Sequence, residues 1–500
     1  MKKTNIKVFC LLLCLSIITL TGCGLFDKKD KTTTSEFDPM TEIRTTDDSP
    51  RVDPNAEKFT EADKKDEEGF SVMNFDLDNV DAADAGRFIK HYSPDIFGVQ
   101  NADPASLAAI SSSAGGYSSL SYDDASAGKH NAIFFKSEYF EVVRNKGISL
   151  TGTPLEKNEG DAELVYALLC STATGRYHAV FSTSLDNGDA LEQQMFYLYS
   201  KFRCYTSYYT TVVMGALRSP EGSEGYTKLI NGGMLTYGTS TEAGDIYVCS
   251  ADNVQGTAVT SDKTDSEMPL VTAVAGETPY SIDLDGKMIA LTFDDGPLST
   301  EGYTDKILSV LEEHKAKATF FLIGKMLTAG NPIQRSLAAK EHELGHETGN
   351  HSYDHKSYSS FADDEALLQN LADTDAFIEE CTGGFKATLL RPPGGTVKQR
   401  ANVDRPIINW TVDTNDWNTS KYNSDDVYNH IITHAKDGYI VLMHDIRKNS
   451  PGMIEDLMAW LEENGYQCVT VSELMEFRDV QMSAGYIYLS AEYTERTTFG

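Results

Sequence analysis

The chain is 500 residues long, more than one hydrophobic core can serve, so several folded units are expected. Its formal charge of −32 argues against nucleic-acid partners, which need a basic footprint, and fits a solvated, aggregation-resistant surface. Hydrophobic residues make up 40%, a little low for a globular chain, as when a solvated linker dilutes folded units.

At the N-terminus, Lys2 and Lys3 precede "VFCLLLCLSIITL", an apolar run too short for a comfortable membrane span. Leu20-Thr21-Gly22-Cys23 follows. Small residues before a cysteine, directly after such a run, resemble a bacterial lipobox. The resemblance implies removal of residues 1–22, a lipid on Cys23, and a location at the extracellular face of the cell membrane. An ordinary secretory signal is the alternative. Residues 23–69 are dense in charge, Thr and Pro, and cannot bury enough surface to offset ordering entropy, so a disordered tether is expected. Its r.m.s. reach is ~35 Å. Beyond it lie Cys170, Cys204, Cys249, Cys381 and Cys468, an odd set without a C-x-x-C pair, which excludes a disulfide framework and a thiolate zinc site.

From Phe70 the patterns alternate. "FSVMNFDL", "NAIFFKSEYFEVV" and "TTVVMGAL" predict strands, and "ADAGRFIKHY" predicts a helix with Ala85, Phe88 and Ile89 on one face. A boundary falls in "AGETPYSIDLDGK" (275–287), so 70–275 and 286–478 are read as two domains, with 479–500 a C-terminal tail. In the second domain "MIALTF", "ATFFLIG", "TLLRP", "IINWTVD", "GYIVLMHD" and "YQCVTV" are strand candidates. Helical patterns lie between them, including "SDDVYNHIITHAK" with Ser424 as N-cap. Runs apolar on both faces and joined by helices indicate α/β architecture with a covered parallel sheet; the pattern leaves barrel and open sheet both open.

Polar residues gather at the C-terminal ends of these strands, where α/β architectures build their sites. Asp294-Asp295-Gly296-Pro297 closes the first. A Gly-Pro turn can swing the second carboxylate back toward the first, so that one binds a cation and the other stays free as a base. Four of eleven histidines fall in "HELGHETGNHSYDH" (342–355). His342-Glu343-Leu344-Gly345-His346 fits the zinc-protease pattern, which must be helical. Gly345 and Gly349 each cost ~1 kcal/mol in a helix interior, and Ser352 stands where a longer protease pattern needs histidine. "GHETGN" therefore reads as a short strand, His342 as a surface histidine and His346 as a structural one. His351 and His355 remain. With Asp295 they would supply three ligands and leave a fourth position open, the pattern of a catalytic zinc site.

"TFDDG", "HSYDH", "RPPGG", "DTNDW" and "LMH", in this order between Thr292 and His444, resemble the five motifs of the NodB-homology polysaccharide deacetylases (carbohydrate esterase family 4). The resemblance implies a distorted (β/α) barrel and metal-dependent removal of acetyl groups from polysaccharide. Asp294 would be the catalytic base. Asp295, His351 and His355 would hold a divalent metal, Zn²⁺ first, with Co²⁺ or Mn²⁺ as substitutes. Arg391 would hold the base. Asp416 would partner the catalytic acid His444, and Trp417 and Leu442 would line the acetyl pocket. Where the family often has "RPPYG", this chain has Gly394, which keeps the backbone N–H used toward the oxyanion but lacks the aromatic ring.

Residues 70–275 resemble the endonuclease/exonuclease/phosphatase fold more weakly, through "VMNFDLDN", "SPDIFGVQNAD", "FSTSLD" and "VVMGAL". The catalytic positions depart: Asn101, Ser184, Ala216, Arg218 and Ser266 stand where acids, histidines and asparagine are required, and Asn74 alone survives. The implication is an α/β sandwich without phosphodiesterase chemistry. With an anchor and tether, peptidoglycan is the expected substrate. An O-acetyl xylan esterase, a zinc protease using His342 and His346, and a non-catalytic wall-binding lipoprotein are the alternatives.

Overall fold

The computed structural model describes residues 69–495 apart from 122–127, 151–161, 186–189, 218–235, 261–266, 277, 279, 299–301, 397–402 and 493. The signal, Cys23 and almost all of the tether, together with Arg218 and Ser266, lie outside the described residues.

The first half comprises β1 (Gly69–Asp76), α1 (Ala82–Tyr92), β2 (Ile96–Ala102), α2 (Pro104–Ser113), β3 (Tyr117–Ser121), β4 (His130–Lys136), β5 (Phe140–Ser149), β6 (Glu163–Ser171) and β7 (Tyr177–Ser184). It continues through α3 (Ala190–Thr206), β8 (Thr210–Ala216), β9 (Thr236–Thr241), β10 (Gly244–Cys249), β11 (Ala251–Thr260) and β12 (Glu267–Ala275). Two six-stranded sheets form, ordered β11-β12-β1-β2-β4-β3 and β5-β6-β7-β8-β10-β9. Strand alternation explains their packing. Val72, Ile96, Val180 and Val212 point into the space between the sheets. Met73, Phe75 and Phe97 point outward, where Phe88 and Ile89 of α1 cover them. The Asp81 side chain accepts from the Ala83 N–H and starts that helix. The second sheet buries its outer face under α3.

The second half comprises β13 (Lys287–Asp294), α4 (Tyr303–Glu313), β14 (Thr319–Leu322), α5 (Pro332–Glu343), β15 (Glu347–Asn350), α6 (Asp364–Thr382), β16 (Ile407–Ile408), β17 (Val412–Asp413) and α7 (Ser424–His434). It continues through β18 (Tyr439–His444), α8 (Asn449–Glu463), β19 (Tyr466–Cys468), α9 (Val471–Phe477), β20 (Ile487–Tyr488) and β21 (Thr494–Glu495). The central sheet runs β15-β14-β13-β18-β17, with every pair parallel, and β19 joins the start of β13. Helices α4, α5, α7 and α8 pack on its outer side through Ile307, Leu311, Leu337, Val427, Ile431 and Leu457.

The architecture is mixed α/β, but the expected barrel does not close as a ladder among the described residues. Two predicted strands account for this. "TLLRP" contributes a single bridging residue, Leu390, paired with Asn350 and Ile407, because Pro392 and Pro393 have no N–H to extend the ladder. "IINWTVD" splits into β16 and β17. Between them the Asn409 carbonyl, with that of Ile408 at the end of β16, turns to accept from Arg391 instead of from a neighbouring strand.

Three local expectations also change. The N-cap of α7 is Asn423, not Ser424: Asn423 accepts from Asp426 N–H at 3.0 Å and Asp426 accepts from Asn423 N–H at 2.9 Å, a capping box. "YQCVTV" stops as a strand at Cys468 because Thr470 caps α9. Residues 479–495 are not a free tail: buried Ile487 and Tyr488 pair with β16.

Candidate functional site

The strand register builds the site. Asp294 is the last residue of β13, and its neighbours across the sheet are His444 on β18 and Phe321 on β14. Asp295 then takes φ = 76°, a left-handed conformation that turns its carboxylate back over the sheet end. The turn is tight. A Cβ on Gly296 would sit 2.2 Å from a carboxylate oxygen of Asp445, so glycine is required there.

β15 ends at Asn350, and the His351 N–H is tied to the Leu322 carbonyl at 2.9 Å. The next five residues form a loop and not a helical turn, with Ser352 and His355 at φ = 67° and 58°. Ser352 N–H donates to the Asn350 side chain and Tyr353 N–H to the Asn370 side chain, which holds the loop. Both imidazoles thereby face Asp295. His355 Nε2 lies 3.1 Å and His351 Nε2 3.5 Å from the same oxygen, Oδ1. One donor atom from each of the three lies within 4.8 Å of the others, the grouping a metal ion requires.

Two observations test whether these residues suit a cation. The Arg391 carbonyl lies 2.7 Å from His351 Nδ1; a carbonyl accepts, so Nδ1 carries the proton and Nε2 presents a lone pair to the cluster. Asp295 Oδ1 is buried without a hydrogen-bond partner. A lone-pair-presenting, anionic tripod fits a divalent cation.

Asp294 stands beside this tripod but is held differently. Arg391, fully buried, donates from Nη1 to Asp294 Oδ1 at 2.7 Å and to Thr292 Oγ1 at 2.7 Å, and from Nε to the Ile408 carbonyl at 3.0 Å. Its guanidinium stacks 4.0 Å from the Phe321 ring centroid. Asp294 Oδ2 is left facing the cluster, 3.6 Å from His351 Nε2. On the other side, His444 Nδ1 lies 2.7 Å from Asp416 Oδ1, while Asp416 Oδ2 accepts from the His444 N–H and the Ser450 hydroxyl. Burial would depress the His444 pKa, but Asp416, with Asp294 and Asp295 nearby, raises it to about 9. Leu442 is buried and Gly394 is exposed with φ = 69°. Trp417, next to Asp416 in the chain, is 49% exposed.

Asp294, Asp295, His351, His355, Arg391, Asp416 and His444 thus come together. Thr292, Asn449, Ser450, Thr304 and Asp445 complete the arrangement and were not singled out from sequence. Thr292 lies inside "TFDDG" and was within reach. Ser450 and Asn449 open a helix whose start carries no side-chain cap signal. Asp445 is fully buried, accepts from Thr304 at 2.5 Å, and burial pushes its pKa up to about 7.

The other histidine pair does not converge. His342 is buried, not on the surface, because Arg203 covers it: Nη1 lies 2.6 Å from His342 Nδ1. A guanidinium against an imidazole nitrogen excludes a cation there. Burial, reinforced by Arg203, lowers the His342 pKa to about 2, and burial with Lys317 and Arg203 lowers that of His346 to about 3. In the sandwich, Asn74 bonds to Gln100 at 2.7 Å and to the Gly215 carbonyl at 3.1 Å, Asn101 bonds to Asp76 at 2.6 Å, and Ser184 accepts from Asn131. These polar groups bond mainly to one another, and no metal-type cluster occurs there among the described residues.

An arginine-held carboxylate, an Asp-His-His tripod and a carboxylate-backed imidazole stand together at one sheet edge. The polysaccharide deacetylase family model matches residues 281–405. A peptidoglycan-N-acetylglucosamine deacetylase of Bacillus cereus is 35% identical over 213 residues, 41% of this chain and 95% of that protein. The peptidoglycan-N-acetylglucosamine deacetylase PgdA of Listeria monocytogenes is 39% identical over 191 residues, 38% of this chain and 39% of that protein. The solved structure of peptidoglycan deacetylase PdaC from Bacillus subtilis superposes with a TM-score of 0.37 at 32% identity, covering 40% of this chain and 94% of that one. The chain belongs to the polysaccharide deacetylase family. It spans about two fifths of the length of the Listeria relative it matches.

Proposed function

We propose that this protein removes N-acetyl groups from the amino sugars of peptidoglycan. The observation that carries the reading is the division of labour between neighbouring carboxylates. Arg391 occupies Asp294 Oδ1 and leaves Oδ2 directed at the tripod, while Asp295 turns away to join His351 and His355. A divalent cation held by that tripod, Zn²⁺ above others, would supply polarisation of the acetyl carbonyl and acidification of water.

The chain's own groups supply the remaining chemistry. Asp294 Oδ2 takes the proton of the attacking water. The Gly394 N–H is the backbone donor offered to the developing oxyanion. An amine leaves when protonated, and His444, kept as imidazolium by Asp416, delivers that proton. Trp417 and Leu442 line the acetyl side. The similarity to peptidoglycan-N-acetylglucosamine deacetylases of Listeria monocytogenes and Bacillus cereus supports amino-sugar substrates. Lipidation at Cys23 would hold the enzyme at the outer membrane face, with residues 23–68 reaching the wall, and the sandwich serves no phosphodiesterase reaction.

Acetate release from purified peptidoglycan, chitin oligomers and acetylated xylan tests the reading. Release from peptidoglycan above the others is expected. Preference for xylan would make the protein an O-acetyl esterase, and casein cleavage without acetate release would overturn the deacetylase reading.

A further inference from the structure

The sandwich meets the second half at the N-terminal ends of its parallel strands, the end opposite Asp294, His351 and His444. Apolar continuity is complete there. Phe202 and Tyr205 of α3 share one buried cluster with Met288 and Ala290 of β13 and Ile440 of β18. Interfaces between domains of one chain usually resemble transient protein contacts. This one is a single core.

The polar contacts are equally specific. Arg203 donates to the carbonyl of His342 in the last turn of α5 at 3.2 Å and to that of His346, directly before β15, at 2.8 Å. Glu473 accepts from Tyr208 at 3.1 Å and Glu476 from Tyr205 at 2.8 Å, and Lys201 pairs with Glu476. Arg144 donates to the Phe477 carbonyl at 3.1 Å and Tyr280 to that of Leu344 at 2.9 Å. Without the sandwich Glu476 would lose Tyr205 and Lys201, and the His346 carbonyl would lose Arg203.

Two routes lead from this floor to the site. Phe321 belongs to the shared cluster, and its ring carries the Arg391 guanidinium that holds Asp294. Arg203 clamps the turn that starts β15, and β15 ends at Asn350, directly before His351.

We propose that the sandwich is the fixed floor of the catalytic unit and unfolds with it as one cooperative body. Ligation of a divalent cation by Asp295, His351 and His355 then stabilises the sandwich across the interface. The second statement rests on the metal-site reading; the first does not.

The test is a urea titration of the full chain read by pulsed hydrogen exchange and peptide mass spectrometry, with and without Zn²⁺. Peptides from β7 and β13 should share one midpoint. Zn²⁺ at a hundred times its Kd should raise the folding equilibrium constant ~100-fold for both. Asp295→Asn should abolish both shifts. Separate midpoints, or a shift in β13 alone, would overturn the proposal. If neither peptide responds to Zn²⁺, the metal-site reading fails, and Arg203→Met then decides the floor: equal destabilisation of both peptides supports it, and loss in β7 alone refutes it.

Discussion

Asp416 grips His444 at two points: Oδ1 lies 2.7 Å from the ring Nδ1, and Oδ2 accepts the backbone N–H at 2.8 Å. The ring can neither flip nor change tautomer without losing a buried charge-assisted bond. The raised pKa means the imidazolium is fully present below the ordinary histidine range and is lost as pH rises through about 9. Activity that needs the acid should therefore fall on an alkaline limb near that pH. Asp416→Asn should move the limb down toward the ordinary range and lower kcat by ~10²-fold or more. A kcat profile from pH 6 to 10 reads both, and an unmoved limb would remove His444 as the acid.

Arg391→Met should leave the tripod intact but free Asp294 from its fixed orientation. Isothermal titration with Zn²⁺ should give an affinity within a few-fold of wild type, while kcat falls by ~10²–10⁴, the range of one acid–base contribution. Lost zinc affinity together with lost activity would mean that Arg391 supports the tripod instead.

Gly296→Ala should destabilise the protein by about 1–3 kcal/mol, because the added methyl group overlaps the Asp445 carboxylate. Urea unfolding measures this. A neutral result would show that the Asp295 turn is softer than its packing implies.

Asn423→Ala should cost about 1 kcal/mol, and Ser424→Ala close to nothing, because Asn423 makes the capping bonds. The same unfolding assay separates them, and the reverse ranking would restore Ser424 as the cap.

Much of the site was legible because its chemistry sits in short motifs at strand ends: Asp294 and Asp295 flank a forced turn, and His351 and His355 lie four residues apart. Rejection of His342 and His346 as a metal pair also followed from local sequence, through Gly345. The burial of His342 did not, since Arg203 arrives from 139 residues away and leaves no periodic trace. The same holds for Ser450 behind Asp416. Strand candidates failed where backbone carbonyls serve a side chain: the 407–413 run is apolar enough for one strand, but Arg391 draws its carbonyls out of the ladder. Apolar pattern marks the buried strands and helix faces, and it reports pairing only when nothing else competes for the backbone.

The central claim is that Asp295, His351 and His355 hold one cation beside an unligated Asp294. Metal content after gel filtration from excess Zn²⁺, read by plasma mass spectrometry, tests it most directly. Wild type, Asp294→Asn and His342→Gln should each retain one equivalent, while Asp295→Ala and His351→Ala retain less than about a tenth, as loss of one of three protein ligands implies. Zinc retained by Asp295→Ala and lost from His342→Gln would contradict the account.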